Sequence, residues 1–342
     1  MVHKRGKQVT RQYRSFSDDF VENSGQAYTL PEDYVWLDRT RTRQAKDAVA
    51  LAAGHVFSWC YTKVVLGVRI VNKQVVTQAA KQGGGFFLYA NHTQPTGDAC
   101  VPLLVAYPAR SYVLVSPANL GIPGLGRLLP YLGALPVAST LAQSKQLRAA
   151  VHARLAEGHA ITIYPEAHQW PWCSRIRPLP ESAFAFPVAE HRPIYTATTT
   201  YQARERLSRP RITVYVDGPF WPDESLPRAQ RKQQLCGDVQ AVMQYRAQNS
   251  TTSYITYVPA CGAPEFPEYT EAVCSRAQAA LKRASAMVGS AVAATFVAAS
   301  SKPNACITDV TVANPTSPVG TVARAIPSKV AGTASSRAGD AL

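Results

Sequence analysis

Hydrophobic and polar positions along this chain fall into two kinds of run, short and wholly apolar or longer with helical spacing. Phe86 to Tyr89, Tyr112 to Ser116 and Ala160 to Tyr164 have almost no polar face, which predicts strands buried on both sides. Val68 to Val71 and Leu132 to Val137 read as further short strands, and Ile194 to Tyr201 and Arg211 to Val216 are rich in the β-branched residues that strands favour. Between these lie helical patterns. Ala99 to Tyr107 carries Pro102 in its first turn, and Leu147, Val151 and Leu155 recur at i, i+4 and i+8 before Gly158. Leu235, Val239, Val242 and Met243 give another apolar helical face within residues 224–248. Strands alternating with helices imply βαβ units, so the expected fold is α/β, with a mainly parallel central sheet flanked by helices.

The ends of the chain follow different patterns. Residues 1–45 are polar and mixed in charge apart from Tyr34-Val35-Trp36-Leu37, and are expected to be an extension ordered where that apolar patch docks. Residues 46–66 form an apolar stretch behind Arg39, Arg41, Arg43 and Lys46, interrupted by His55, Ser58 and Lys63. That stretch reads as a helix too short and interrupted to cross a membrane, which takes about 20 mainly apolar residues. The main domain is expected over residues 46–262. Beyond it, residues 263–342 become rich in Ala, Ser, Thr and Val, and are expected to be a mostly disordered tail with one helix across Ala279 to Ala299.

Composition narrows the partners. The 342 residues carry a net charge of +14, which favours anionic partners. The charge is dispersed, and neither zinc-finger spacing nor an aromatic RNA-binding signature accompanies it, so nucleic acid is not expected among them. The 7 cysteines are odd in number, scattered, and never spaced Cys-x-x-Cys, as expected of reduced thiols in the cytoplasm. No apolar segment follows the basic residues of the N-terminus, so no secretory signal is expected.

The candidate chemistry lies where the first apolar run ends. Asn91-His92-Thr93-Gln94-Pro95-Thr96-Gly97-Asp98 is a turn-rich loop at a strand's carboxyl end, the edge at which open α/β sheets bind ligands. Ile161-Thr162-Ile163-Tyr164-Pro165-Glu166-Ala167-His168 ends a second strand in the same way. Asp98 alone reads as a helix cap and His92 alone as a loop histidine.

Together these two blocks resemble the signatures of the glycerophosphate acyltransferase superfamily, the 1-acylglycerol-3-phosphate acyltransferases and their relatives. The resemblance covers roughly Ala48 to Pro222. It departs from the family pattern twice. Five residues separate His92 from Asp98 where the family has four, so the Gln94 to Gly97 turn must absorb one more. Ala167-His168-Gln169 stand where the family has Gly-Thr-Arg.

The resemblance implies a substrate hydroxyl that attacks an acyl thioester directly, with His92 as general base and Asp98 fixing its tautomer. It implies Asn91 either positioning His92 or donating to the thioester oxygen, and Pro165-Glu166 contacting the acceptor or the loop that holds it. For the substrate phosphate the candidates are Arg127, in the Asn119 to Pro130 segment, and Arg175 or Arg177, with His168 as an auxiliary donor. No cofactor is implied. The donor would be acyl-CoA or acyl carrier protein, the acceptor lysophosphatidic acid or a related glycerophosphate, and the helix at 46–66 would rest on the anionic inner surface of the cell membrane. Two rival expectations stand beside this one: a metal-dependent hydrolase built from His92, Asp98, Glu166 and His168, and a lipid-binding protein without catalysis.

Overall fold

The computed structural model describes residues 9–21, 27–204, 209–288, 294–295 and 311–312. An N-terminal strand β1 (Val9–Tyr13) is followed by helix α1 (Arg41–Cys60), strand β2 (Arg69–Val71), helix α2 (Gln74–Lys81) and strand β3 (Phe86–Ala90). Then come α3 (Gly97–Ala106), β4 (Ser111–Val115), β5 (Ala134–Pro136), α4 (Leu141–Ala156) and β6 (Ala160–Ile163). The chain continues through α5 (Ala185–Glu190), β7 (Ile194–Gln202), β8 (Arg211–Phe220), α6 (Arg228–Ala247), β9 (Ile255–Pro259) and α7 (Glu271–Met287). Seven strands form one sheet in the order β2-β8-β7-β3-β6-β4-β5, parallel except where β8 runs against β7. The expected mainly parallel α/β architecture is the one observed.

The apolar runs explain the layers. Every residue of β3 is buried, with Phe87 and Tyr89 in the core beneath α4 and α6 while Phe86, Leu88 and Ala90 face the core beneath α2 and α3. A strand covered on both faces has no use for a polar alternation. Gly85 opens the strand at a close approach, since a Cβ there would stand 2.1 Å from the Leu155 carbonyl oxygen at the end of α4.

Two regions differ from the expectations. Val9 to Tyr13, placed above in a polar extension, form β1 and pair in parallel with β9 as a separate two-stranded sheet. Tyr13 is fully buried there, in a small aromatic core with Trp170, Tyr257 and Phe266. The Tyr34 to Leu37 patch does dock, with Trp36 buried and its Nε1 donating to the Pro136 carbonyl at 2.9 Å. At the other end, residues 271–287 fall in the expected tail and form α7, which overlaps the helix expected from Ala279 and begins 8 residues earlier. Ala277, Ala280, Leu281 and Ala284 lie at i, i+3, i+4 and i+7 and pack against α6, so small side chains make its buried stripe. Apart from 294–295 and 311–312, residues 289–342 lie outside the described residues, as does most of the far half of the helix expected at Ala279 to Ala299.

Helix α1 is longer than its sequence pattern implied. It starts at Arg41 on a Thr40 cap and runs through a π-helical turn to Val65, and over these 25 residues it is long and apolar enough to cross a membrane. Its N-terminal half is fastened by Asp47, which pairs with Arg43 at 2.8 Å and Arg110 at 3.3 Å. Further along, Val49, Val56, Phe57, Trp59, Val64 and Val65 are exposed.

Burial divides the cysteines. It pushes the Cys173 thiol up to about 12 and Cys236 to about 11, so neither forms thiolate at neutral pH, while Cys60 and Cys261 are exposed. A thiol reagent at pH 8 should label Cys60 and Cys261 in the folded protein and reach Cys173 and Cys236 only after denaturation. Peptide mass spectrometry reads the result.

Candidate active site

Parallel pairing of β3 with β6, in register at Tyr89 and Ile163, delivers the two loops that follow these strands to the same sheet edge. The first loop turns immediately after Ala90. Asn91 is buried and exchanges two hydrogen bonds with the Thr199 backbone of β7, donating from Nδ2 at 3.1 Å and accepting at Oδ1 at 2.8 Å. It therefore locks the end of β3 to β7, which is the positioning alternative for this residue.

His92 follows. Its Nδ1 lies 2.8 Å from Asp98 Oδ2, and the imidazole is 23 % exposed while the carboxylate is buried. The additional residue of the His92 to Asp98 segment is taken up by a turn that closes on the carboxylate itself. The Gln94 backbone N–H donates to Asp98 Oδ2 at 2.9 Å and the Asp98 N–H to the Gln94 carbonyl at 3.3 Å. Asp98 is thus the second residue of α3, where a negative side chain also suits the helix dipole.

Two side chains that the sequence reading did not single out complete the pair. Tyr164, at the end of β6, stacks on His92 with ring centroids 4.4 Å apart, and its hydroxyl donates to the Asp98 carbonyl at 2.6 Å. Burial pushes that phenol well above its ordinary pKa, so it remains a donor. Gln169, which stands where the family has arginine, donates from Nε2 to the Gln94 carbonyl at 2.7 Å and to Asp98 Oδ2 at 3.2 Å. Asp98 Oδ2 thus takes hydrogen bonds from the Gln94 N–H, from Gln169 and from His92. A carboxylate acceptor at Nδ1 puts the imidazole proton there and leaves the lone pair on Nε2, for which no hydrogen bond occurs among the described residues.

Glu166 joins the two loops. Its Oε2 accepts the His92 backbone N–H at 2.9 Å, its Oε1 accepts the Arg177 N–H at 2.9 Å, and the Arg177 guanidinium pairs with it at 3.3 Å. Both side chains are almost wholly buried. Arg177 also donates to the carbonyls of Phe16, at 3.0 Å, and His168, and its guanidinium lies over the Trp170 ring. Of the alternatives for Glu166 the structure shows the contact with a loop, while Arg177, a phosphate candidate by resemblance, is buried against it. Each spends its hydrogen-bonding groups inside the protein, holding the loop that carries His92. Pro165 is buried in the same turn.

No hydrogen bond or ion pair links the remaining candidates to His92 among the described residues. His168 is half-exposed and its Nδ1 faces Asp19 at 3.7 Å. Arg127 is exposed in the loop after Gly126. Arg175 lies with its guanidinium 4.3 Å from the centre of the Phe266 ring, beside a cavity lined also by Ser174 and Gln244. The four-residue metal site is not assembled. Among the described residues no three His, Cys, Asp or Glu side chains are grouped to hold a metal ion, and the Glu166 carboxylate is committed to Arg177.

Two substitutions test the loop. Glu166→Gln leaves the Arg177 guanidinium buried without its counter-charge and should cost about 3 to 5 kcal/mol of stability in denaturant unfolding. Ala167 occupies the left-handed region at φ 62°, where a Cβ is disfavoured. Ala167→Gly should therefore stabilise the protein by about 1 kcal/mol.

Neither a family model nor a curated protein matches the sequence. Among solved structures, the crystal structure of the 1-acyl-sn-glycerophosphate (LPA) acyltransferase PlsC from Thermotoga maritima is similar at 15 % identity and a TM-score of 0.39. The likeness covers 60 % of this chain and 84 % of that one.

Proposed function

We propose that the protein is an acyltransferase that moves a fatty acyl group from a thioester to the hydroxyl of lysophosphatidic acid or a related glycerophosphate. The observation that carries this reading is the His92 and Asp98 pair at the carboxyl end of a central parallel strand, 2.8 Å apart, with the imidazole reaching solvent. In this reaction His92 Nε2 removes the proton of the acceptor hydroxyl as its oxygen attacks the thioester carbonyl. The C–O bond forms, the tetrahedral intermediate collapses with cleavage of the C–S bond, and the imidazolium returns its proton to the departing thiolate. Asp98 stays ionised throughout, holding the Nδ1 proton and stabilising the positive ring. Tyr164 and Gln169 keep that geometry from relaxing between turnovers.

The donor in this scheme is acyl-CoA or acyl carrier protein. The exposed apolar side chains of α1, with Arg41, Lys46 and Lys63 exposed beside them, support a second element of the proposal. The helix meets an anionic membrane surface on its cytoplasmic side, where an acylated, water-insoluble substrate resides.

Incubation of the protein with a labelled acyl thioester and a panel of glycerophosphate acceptors tests the reading. A labelled phospholipid product is expected, with turnover lowered about 10²- to 10⁴-fold in His92→Ala and Asp98→Asn. Transfer that persists in His92→Ala contradicts the mechanism, and binding of lipid with no transfer by the unaltered protein contradicts the enzyme.

A further inference from the structure

A second cluster of charge lies at the sheet edge opposite His92, where β4 and β6 begin. Arg110 stands immediately before β4, and Arg154 and Glu157 lie at the end of α4, which leads into β6. Together with Asp38 and Arg39, which precede α1, and Gln44 and Asp47 in its first turns, they line a cavity of about 350 Å³. Strand β3, 5 residues and about 16 Å long, separates this edge from the one that carries the His92 loop.

Donors outnumber acceptors here. The guanidiniums of Arg39, Arg43, Arg110 and Arg154 share two carboxylates. Glu157 pairs with Arg39 at 3.2 Å and Arg154 at 2.9 Å, and Asp47 pairs with Arg43 at 2.8 Å and Arg110 at 3.3 Å. Asp38 is turned to the backbone, accepting the Thr40 N–H at 2.9 Å, and makes no ion pair among the described residues. Eight buried side-chain nitrogen and oxygen atoms have no hydrogen bond among the described residues, and four of them fall in this one cluster: Arg110 Nε and Nη2, Arg154 Nε and the Tyr112 hydroxyl. Arg110 Nη2 is near Asp47 but out of line for a hydrogen bond. Tyr112 is 3 % exposed, and the Arg110 and Arg154 guanidiniums lie over its ring, 4.9 and 4.7 Å from the centre. Buried donors without acceptors are costly, and their concentration beside a cavity suits an anion with several acceptor oxygens.

The helix ends favour the same charge. The first turn of α1 holds no acidic residue, so its positive end is uncompensated there. At the end of α4 the carbonyls of Ala153, Arg154 and Leu155 already accept the N–H groups of Glu157, His159 and Gly158.

We propose that this cavity binds a phosphate group, with Arg110 and Arg154 as its principal donors and Arg39 and Gln44 at its mouth. Rotation of either guanidinium on its flexible stem carries the free N–H groups to the phosphate oxygens. The bound group acts on the fold and not in the reaction at His92, which is a strand length away. It fastens the start of α1 to the sheet, because its donors come from the start of α1, the residue before β4 and the end of α4. The site is independent of the acyl-transfer reading and stands or falls without it.

Calorimetric titration of the full chain with inorganic phosphate at pH 7.5, with ionic strength held constant by chloride, tests the site. Saturable binding is expected. It should weaken at least tenfold in Gln44→Glu, which sets a carboxylate at the mouth, and in Arg110→Lys, which keeps the charge beside Asp47 but loses the planar fork. Arg148→Ala, which removes an exposed arginine elsewhere on α4, should leave it unchanged. The melting temperature should rise with phosphate in the wild type and not in Gln44→Glu. Gln44 is exposed, so its variant carries the test should Arg110→Lys fail to fold. Absence of saturable binding, or equal binding by the wild type and Gln44→Glu, overturns the assignment. Repeating the titration with phosphatidic acid vesicles present identifies the source of the phosphate. Suppressed binding assigns the site to a lipid headgroup, and undiminished binding assigns it to a soluble phosphate compound.

Discussion

The candidate site depends on one buried carboxylate. Glu166 follows β6 and ties the backbone of His92 to the backbone and guanidinium of Arg177, so one side chain joins two loops whose residues lie 74 positions apart. Neither loop has a regular ladder of its own at this point. A flexible loop cannot keep an imidazole aimed at a carboxylate with the accuracy that proton transfer needs. The clamp fixes the backbone of His92, and its cost in desolvation is offset by the hydrogen bonds that Glu166 and Arg177 make.

The clamp in turn rests on the N-terminal segment. Arg177 donates to Phe16, and Trp170, which lies beneath the guanidinium, donates from Nε1 to the Asp18 carbonyl at 2.8 Å. The Trp170 and Trp172 backbone N–H groups donate to the carbonyls of His92 and Thr93 at 3.0 and 2.8 Å. Strand β1, through Tyr13 and the aromatic cluster around Trp170, therefore braces the second loop from outside while the central sheet braces it from within.

Much of this was legible in the sequence, for identifiable reasons. Wholly apolar runs as short as Phe86 to Tyr89 fit interior strands, and His92 and Asp98, which alone read as a loop histidine and a helix cap, stood out through the resemblance of two strand-end blocks. What escaped was what leaves no periodic trace. Of the five residues of β1 only Tyr13 is buried, so no alternation marks it as a strand. Helix α7 was expected only from Ala279; its first two turns, from Glu271, were missed because its buried stripe is made mostly of alanine, which also occurs in unstructured tails. Arg175 and Arg177 cannot be told apart by type. One lies outside on Phe266 and the other inside on Glu166, a division set by tertiary contacts with segments far away in the chain. Gln169 was hidden because it sits at a departure from the family pattern. Its amide supplies donors to Asp98 Oδ2 and the Gln94 carbonyl.

Whether His92 can act as a base turns on which of its nitrogens carries the proton. Nitrogen NMR of the imidazole in ¹⁵N-histidine-labelled protein, at a pH where the ring is neutral, answers this directly. With Asp98 ionised, the 2.8 Å contact predicts the proton on Nδ1 and an unprotonated Nε2. A spectrum showing His92 protonated at Nε2 with a bare Nδ1 would contradict it, since a ring in that state has no base to offer a substrate from its exposed side.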